Sequence, residues 1–397
     1  MAATDNSPRG AGRAFDLITL AALALPGVMP GVVHADEAPE RGSVAIKYLY
    51  YKDSQSVNTS YPYYDGSEGS RFNRITVSSP ALQLVVPLGR RWSVEAGAVV
   101  DQVSGASPKY YTDVSGASQM SDRRTAGDVK VIRYFERGAI GVGAAYSTEH
   151  DYRSTSLSLD GRWSTADNNT TLSAGLGGTS DAINPVNGGQ HDVSNERKRS
   201  AELMLGLTQV LSADDLVQVT LTGSRGRGYY SDPYKLFDAR PRERNAGIGM
   251  LRWNHHFAGL GASLRSSYRY YNDSFGIKAH TFEAAWVQPL SGAVKLTPSV
   301  RYYSQSAASF YYDPVTDINV YPAPLGNPTY SSPDQRLSAF GGITVGMKLE
   351  WQLGDWATDV KVERYEQRSS WRMGGSGSTA LDPFQAIFVQ MGVSRAF

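Results

Sequence analysis

Cysteine is absent from all 397 residues, so neither disulfides nor thiolate metal sites are available. Charge is sparse: Asp, Glu, Lys and Arg make up 19% of the chain, against roughly 25% in soluble domains. The net charge of +1 suggests neither nucleic acid nor an acidic surface partner. Beyond the N-terminus no stretch approaches the roughly 18 consecutive apolar residues of a spanning helix, which excludes a helical membrane bundle. No H-x-H or H-E-x-x-H spacing occurs among the histidines. Abundant instead are tyrosine (24) and glycine (40).

Arg9 and Arg13 precede an apolar run at 17–33 that ends in Val33-His34-Ala35. This order of charge, apolar stretch and small residues predicts a secretory leader over 1–35, cleaved after Ala35. A short periplasmic segment, 36–42, then leads into a single body over 43–397.

From residue 43 the apolar period is two rather than 3.6. Leu203, Leu205 and Leu207 alternate with small or polar residues, as do Val217, Val219 and Leu221, and Val345, Met347 and Leu349. The pattern predicts sixteen strands. The first eight are 43–53, 73–87, 92–103, 125–135, 139–148, 153–163, 170–178 and 198–211. The others are 215–226, 244–256, 261–272, 275–288, 293–304, 335–350, 356–369 and 384–397. Connections alternate between short (89–91, 136–138, 212–215, 258–260, 353–355) and long (54–72, 104–124, 181–196, 228–243, 305–334). Alternation alone fits a soluble sandwich as well, but the aromatics separate the two. Trp92, Trp163, Trp253, Trp286, Trp351 and Trp356 flank short turns, while pairs such as Tyr50-Tyr51, Tyr270-Tyr271 and Tyr302-Tyr303 lie toward long loops. A sandwich has no reason to sort rings by end; two membrane interfaces do. The expectation is an all-β fold: a transmembrane antiparallel up-and-down barrel of about sixteen strands in the bacterial outer membrane, with short periplasmic turns and long outer loops.

The last strand ends on an aromatic. Ile387, Val389, Met391, Val393 and Phe397 share one face. With its terminal Phe, this row resembles the assembly signal by which outer-membrane proteins are recognised, which implies lipid and the barrel-assembly machinery as partners. Arg395 departs from that pattern.

Longer segments, VSGASPKYYTDVSGAS (103–118), RYFERGAIGVGAAYSTEHDY (133–152), GYYSDPYKLFDARPRERN (228–245) and SSYRYYNDSFGI (266–277) among them, resemble a bacterial family of outer-membrane barrels known as a domain of unknown function. The resemblance implies an exported, Tyr-rich barrel. It also implies, as an alternative to a channel, a platform seating a small lipoprotein or a periplasmic redox protein. It implies no catalytic residue.

Within the barrel reading, apolar residues face out, so Lys47, Lys130, Arg162, Arg265, Arg269, Lys295, Arg301, Lys348 and Lys361 face the lumen with Glu95, Asp101, Asp128, Asp160, Glu202, Glu283, Glu350, Asp359 and Glu363. An Arg or Lys at mid-bilayer would cost about 2–4 kcal/mol. Arg265, Arg269 and Arg301 form a candidate basic ladder near the outer rim, able to steer anionic solutes. Loops 231–245 and 305–334 suit folding into the mouth. Neighbours in a strand point to opposite faces, so His255 and His256 cannot share a metal. Glu149-His150-Asp151 places acid beside base at a hairpin tip, but no serine motif accompanies it. GSRGRG (223–228) lacks a following Lys-Ser/Thr and reads as the base of a loop rather than a phosphate cradle. No catalytic residue, metal or cofactor is expected. The expected function is a channel for small solutes.

Overall fold

The computed structural model describes residues 38–56, 71–105, 120–185, 192–235, 237–313 and 323–397. The leader expected at 1–35 lies outside them, as do His191, Pro314 and Pro322. Sixteen strands follow in order: β1 (Ser43–Ser56), β2 (Arg71–Pro87), β3 (Trp92–Gly105), β4 (Met120–Phe135), β5 (Gly138–Thr148), β6 (Tyr152–Ser164), β7 (Thr170–Ile183) and β8 (Glu196–Val210). The second half comprises β9 (Asp215–Gly228), β10 (Glu243–Phe257), β11 (Ala262–Asp273), β12 (Lys278–Pro289), β13 (Val294–Gln305), β14 (Phe340–Leu353), β15 (Trp356–Arg368) and β16 (Phe384–Ala396). Each pairs antiparallel with the next and β16 pairs with β1, closing the circuit. Closure satisfies every strand laterally, the condition for placing β structure in hydrocarbon.

The outward face is apolar. Leu205 is 52% exposed and Ile387 50%, with Leu203, Leu221, Val345 and Met391 in the same state. In a soluble protein this band would be an unburied core; against acyl chains it is in its proper solvent. This is the architecture of a transmembrane β-barrel. The Trp side chains beside the short turns lie on the outward face, and Arg133, Arg137 and Arg395 stack on Trp92, Trp163 and Trp356. Arg395, the departure in the terminal strand, thus lies over Trp356 at the short-turn interface, where a guanidinium can reach water while its stem covers apolar surface.

The seam closes at the terminus. The Phe397 amide donates to the Gly42 carbonyl at 2.9 Å, and its ring lies so close that a Cβ on Gly42 would sit 2.5 Å from Cε2. The following segment edge is fixed by Arg41, whose guanidinium meets Asp355 at 2.7 Å. Ala38 packs on Ile132, Tyr134 and Ala139.

Two departures from the sequence reading have one cause. At the long-loop end several strands run further than expected, β4 beginning at Met120 and β7 ending at Ile183. There the ladder continues above the apolar band, where polar side chains no longer alternate with apolar ones. GSRGRG is part of this extension: it is regular strand up to Gly228, not the base of a loop. Conversely, 275–277 and 335–339 continue the apolar pattern without being strand. Phe275, Ile277 and Leu337 are buried instead in a cluster among the loops.

Candidate functional site

Residues opposite in register share a face, so the apolar outward rows fix the inward ones. Several inward cations are neutralised on the wall itself. Arg124 and Asp101 form a buried pair at 2.5 Å. Lys130 meets Asp160 at 2.6 Å, Lys198 meets Asp181 at 3.2 Å, Lys348 meets Glu350 at 2.9 Å and Lys361 meets Glu363 at 2.8 Å. Arg265, Arg269 and Arg301 also face inward and, among the described residues, none of them forms an ion pair. Their surroundings are less purely basic than a ladder. Glu283 lies directly across from both Ser267 and Arg301, at a level between Arg265 and Arg269. Glu202 is also within electrostatic reach of Arg269. The expected position near the outer rim holds only in part: Arg265 stands close to the start of β11 at the short-turn end, so the three span much of the wall. Arg265, Glu283 and Arg301 are solvent-exposed on this inward face, which describes a wet interior.

At the long-loop end the Tyr pairs are split between faces. Tyr50, Tyr270 and Tyr302 point outward, as interface anchors should. Their partners point inward and bond a polar residue two positions further along. Tyr51 donates to Asp53 at 2.8 Å, Tyr271 to Asp273 at 2.7 Å, Tyr303 to Gln305 at 2.6 Å and Tyr365 to Gln367 at 2.8 Å. The sequence signal was present as Y-x-D or Y-x-Q on β1, β11, β13 and β15, strands that all run toward the long loops, and it went unread.

Above this ring the loops interlock. Loop 229–242 bridges to loop 306–339 through Ala239 opposite Ser331. Between them lies a buried charge cluster. Asp334, fully buried, receives Arg240 at 2.7 Å, Lys235 at 3.4 Å and the closely placed Arg336 guanidinium. Arg240 also holds Asp238 at 2.5 Å, and Arg336 holds Asp232 at 2.9 Å. Burial by itself would push the Asp334 carboxyl up; Arg336, Lys235 and Arg240 outweigh it and hold the group well below the usual carboxylate range. Next to Lys235, the Tyr234 hydroxyl donates to Asp151 at 2.7 Å. Asp151 is at the tip of the β5–β6 hairpin, whereas Asp334 precedes β14, half the sixteen-strand circuit away. Adjacent residues of this loop therefore hold both the β5–β6 hairpin and loop 306–339, which itself packs on the β11–β12 turn through Leu337. The inward Arg244 holds the β11–β12 turn, bonding Asp273 at 2.6 Å with its guanidinium 4.6 Å from the Phe275 ring.

Among the described residues, the histidines do not assemble into a centre. His255 faces outward, bonding Asp215 at 2.8 Å beside Trp253, which bonds the same carboxylate. His256 faces inward, toward the Ser263 hydroxyl at 3.1 Å. At the hairpin tip, carboxylate oxygens of Asp122, Glu149 and Asp151 lie within 4.8 Å of one another, with His150 within electrostatic reach of Asp122.

No curated protein matches the chain. Among solved structures it is similar to the siderophore receptor PirA from Pseudomonas aeruginosa, at 9% identity and a TM-score of 0.46 over 88% of this chain. The chain spans 61% of that receptor. It is similar also to the TodX deltaS2S3 mutant monoaromatic hydrocarbon channel, at 12% identity and a TM-score of 0.46, with 91% of each chain covered. A bacterial polysaccharide outer membrane secretin has 9% identity and a TM-score of 0.46, with 88% of this chain and 98% of that one covered. At sequence level, a family described as "Protein of unknown function (DUF3570)" matches residues 15–119 and 114–391, and the chain belongs to that family.

Proposed function

We propose that this protein is a non-enzymatic outer-membrane channel for small solutes whose mouth is narrowed by its own loops. The observation that carries the reading is the solvent-exposed inward wall around Arg265, Glu283 and Arg301, in a barrel of the strand number that leaves an aqueous interior in porins. Arginines without an ion pair there favour entry of anions, moderated by Glu283 and Glu202. The test is conductance of the full chain in planar bilayers. Replacing Arg265, Arg269 and Arg301 together with Gln should shift the reversal potential toward cations. The shift should shrink at high salt, as the Debye length falls from about 10 Å at 0.1 M to about 3 Å at 1 M. Absence of conductance in the wild type would remove the channel reading and leave a platform for a small lipoprotein or periplasmic redox protein, detectable as a stoichiometric companion in native purification. An unchanged reversal potential in a conducting triple variant would mean that lumen carboxylates already cancel these arginines.

A further inference from the structure

The long-loop ends of β6, β8 and β9 carry arginines that the channel reading does not use, because they point away from the lumen. Arg153, Arg197, Arg199, Arg225 and Arg227 alternate as exposed residues with less exposed inward neighbours. They share the face of Leu157, Leu203, Leu205 and Leu221. Register brings them together: Arg199 is directly opposite Arg227, and Arg225 lies two positions along on the same face. Like charges directly opposite on one face of an antiparallel pair destabilise it. The acid that reaches this patch is Glu243, 2.9 Å from Arg227 and 3.9 Å from Arg225. Arg153, Arg197 and Arg199 have no ion pair among the described residues. On the same rim Arg368 of β15 is matched, pairing with Glu366 at 2.5 Å.

We propose that this patch binds the phosphates of lipid A, the acylated, doubly phosphorylated disaccharide of the outer leaflet. The inference rests on the outer-membrane reading. The level is right: four residues separate Leu203 from Arg199, about 13 Å along the strand, so acyl chains on the leucine rows bring a headgroup to the guanidiniums. The width is right as well. From β6 to β9 the arginines span about 15 Å at the usual strand spacing, room for two phosphates set apart by a disaccharide. Arg is suited to each of them through paired N–H donors.

The experiment is native mass spectrometry of the full chain in detergent, titrated with lipid A, with enzymatically dephosphorylated lipid A, and with phosphatidylglycerol. Lipid A should bind in preference to both others. Each arginine near an anionic headgroup is worth about fivefold in affinity, so the triple variant Arg197→Gln, Arg199→Gln, Arg227→Gln should weaken lipid A on the order of a hundredfold. The pair Arg364→Gln, Arg368→Gln on β15 should leave it unchanged. Equal binding of the dephosphorylated lipid or of phosphatidylglycerol, or full retention by the triple variant, would overturn the proposal. If the triple variant does not fold, the three-lipid comparison on the wild type still decides. The titration does not depend on where the chain resides in the cell, so recovery from another membrane would sink the outer-membrane reading separately.

Discussion

Asp334→Asn tests whether the loops form a lid with its own stability. The substitution keeps the side-chain volume and removes a fully buried charge. In the wild type three cations (Lys235, Arg240, Arg336) face three carboxylates (Asp232, Asp238, Asp334); the variant leaves an uncompensated positive charge. Breaking a buried ion pair costs about 3–5 kcal/mol. Here the low end applies, because Arg240 keeps Asp238 and Arg336 keeps Asp232. About 3 kcal/mol raises the open population of the lid on the order of a hundredfold. Native-state trypsin cleavage after Lys235 follows that population when reclosing is fast, while heat-modifiable gel mobility reports the barrel separately. Cleavage unchanged in a folded variant would refute the lid. The pH dependence has a defined sign. The Asp334 pKa is lowered in the folded state, so its stabilisation is complete above the ordinary value of about 4 and is lost as pH falls through the lower folded value. Wild-type opening should therefore stay flat near neutrality and rise only in strong acid, where pepsin replaces trypsin as the probe, and the variant should lack that rise.

Other perturbations address the wall and the seam. Leu205→Arg places a charge at mid-bilayer on the outward face and should cost about 2–4 kcal/mol in bilayer unfolding. Thr208→Arg, on the inward face, should lack that lipid cost, and equal losses would contradict the assigned faces. Deleting Phe397 removes both the bond to Gly42 and the end of the outward row Val389, Met391, Val393. It should lower folded yield in cells far more than removing an apolar residue from an outer loop, and equal yields would count against a signal at the terminus.

The barrel was legible because the side-chain period of a strand is two and lipid enforces it. Along β8, Leu203, Leu205 and Leu207 have no alternative face, so alternation, strand and inward charges such as Glu202 all followed. Legibility ended where lipid ended. Above the apolar band, Arg197 alternates on the same face as Arg199 and the leucines, yet its polarity left it outside the expected strand 198–211. Phe275 and Leu337 failed in the opposite sense: they extend an apolar pattern but are buried by other loops, a constraint that comes from distant segments and leaves no local period.

The same boundary explains why the mouth was the least readable part. Asp334 is held by Lys235 and Arg240, about a hundred residues earlier in the chain, and nothing near Asp334 in the sequence marks it as buried. Pairing at that separation becomes visible only when the closed circuit brings loop 229–242 against loop 306–339. The inward tyrosines are intermediate. Tyr271 and Asp273 lie two positions apart on one strand, so their bond is local and could be read from spacing alone. What spacing could not show is that Arg244, from the neighbouring strand, reaches the same Asp273 carboxylate at 2.6 Å and stacks on Phe275. The wall of this barrel is thus specified by local rules and its entrance by long-range charge.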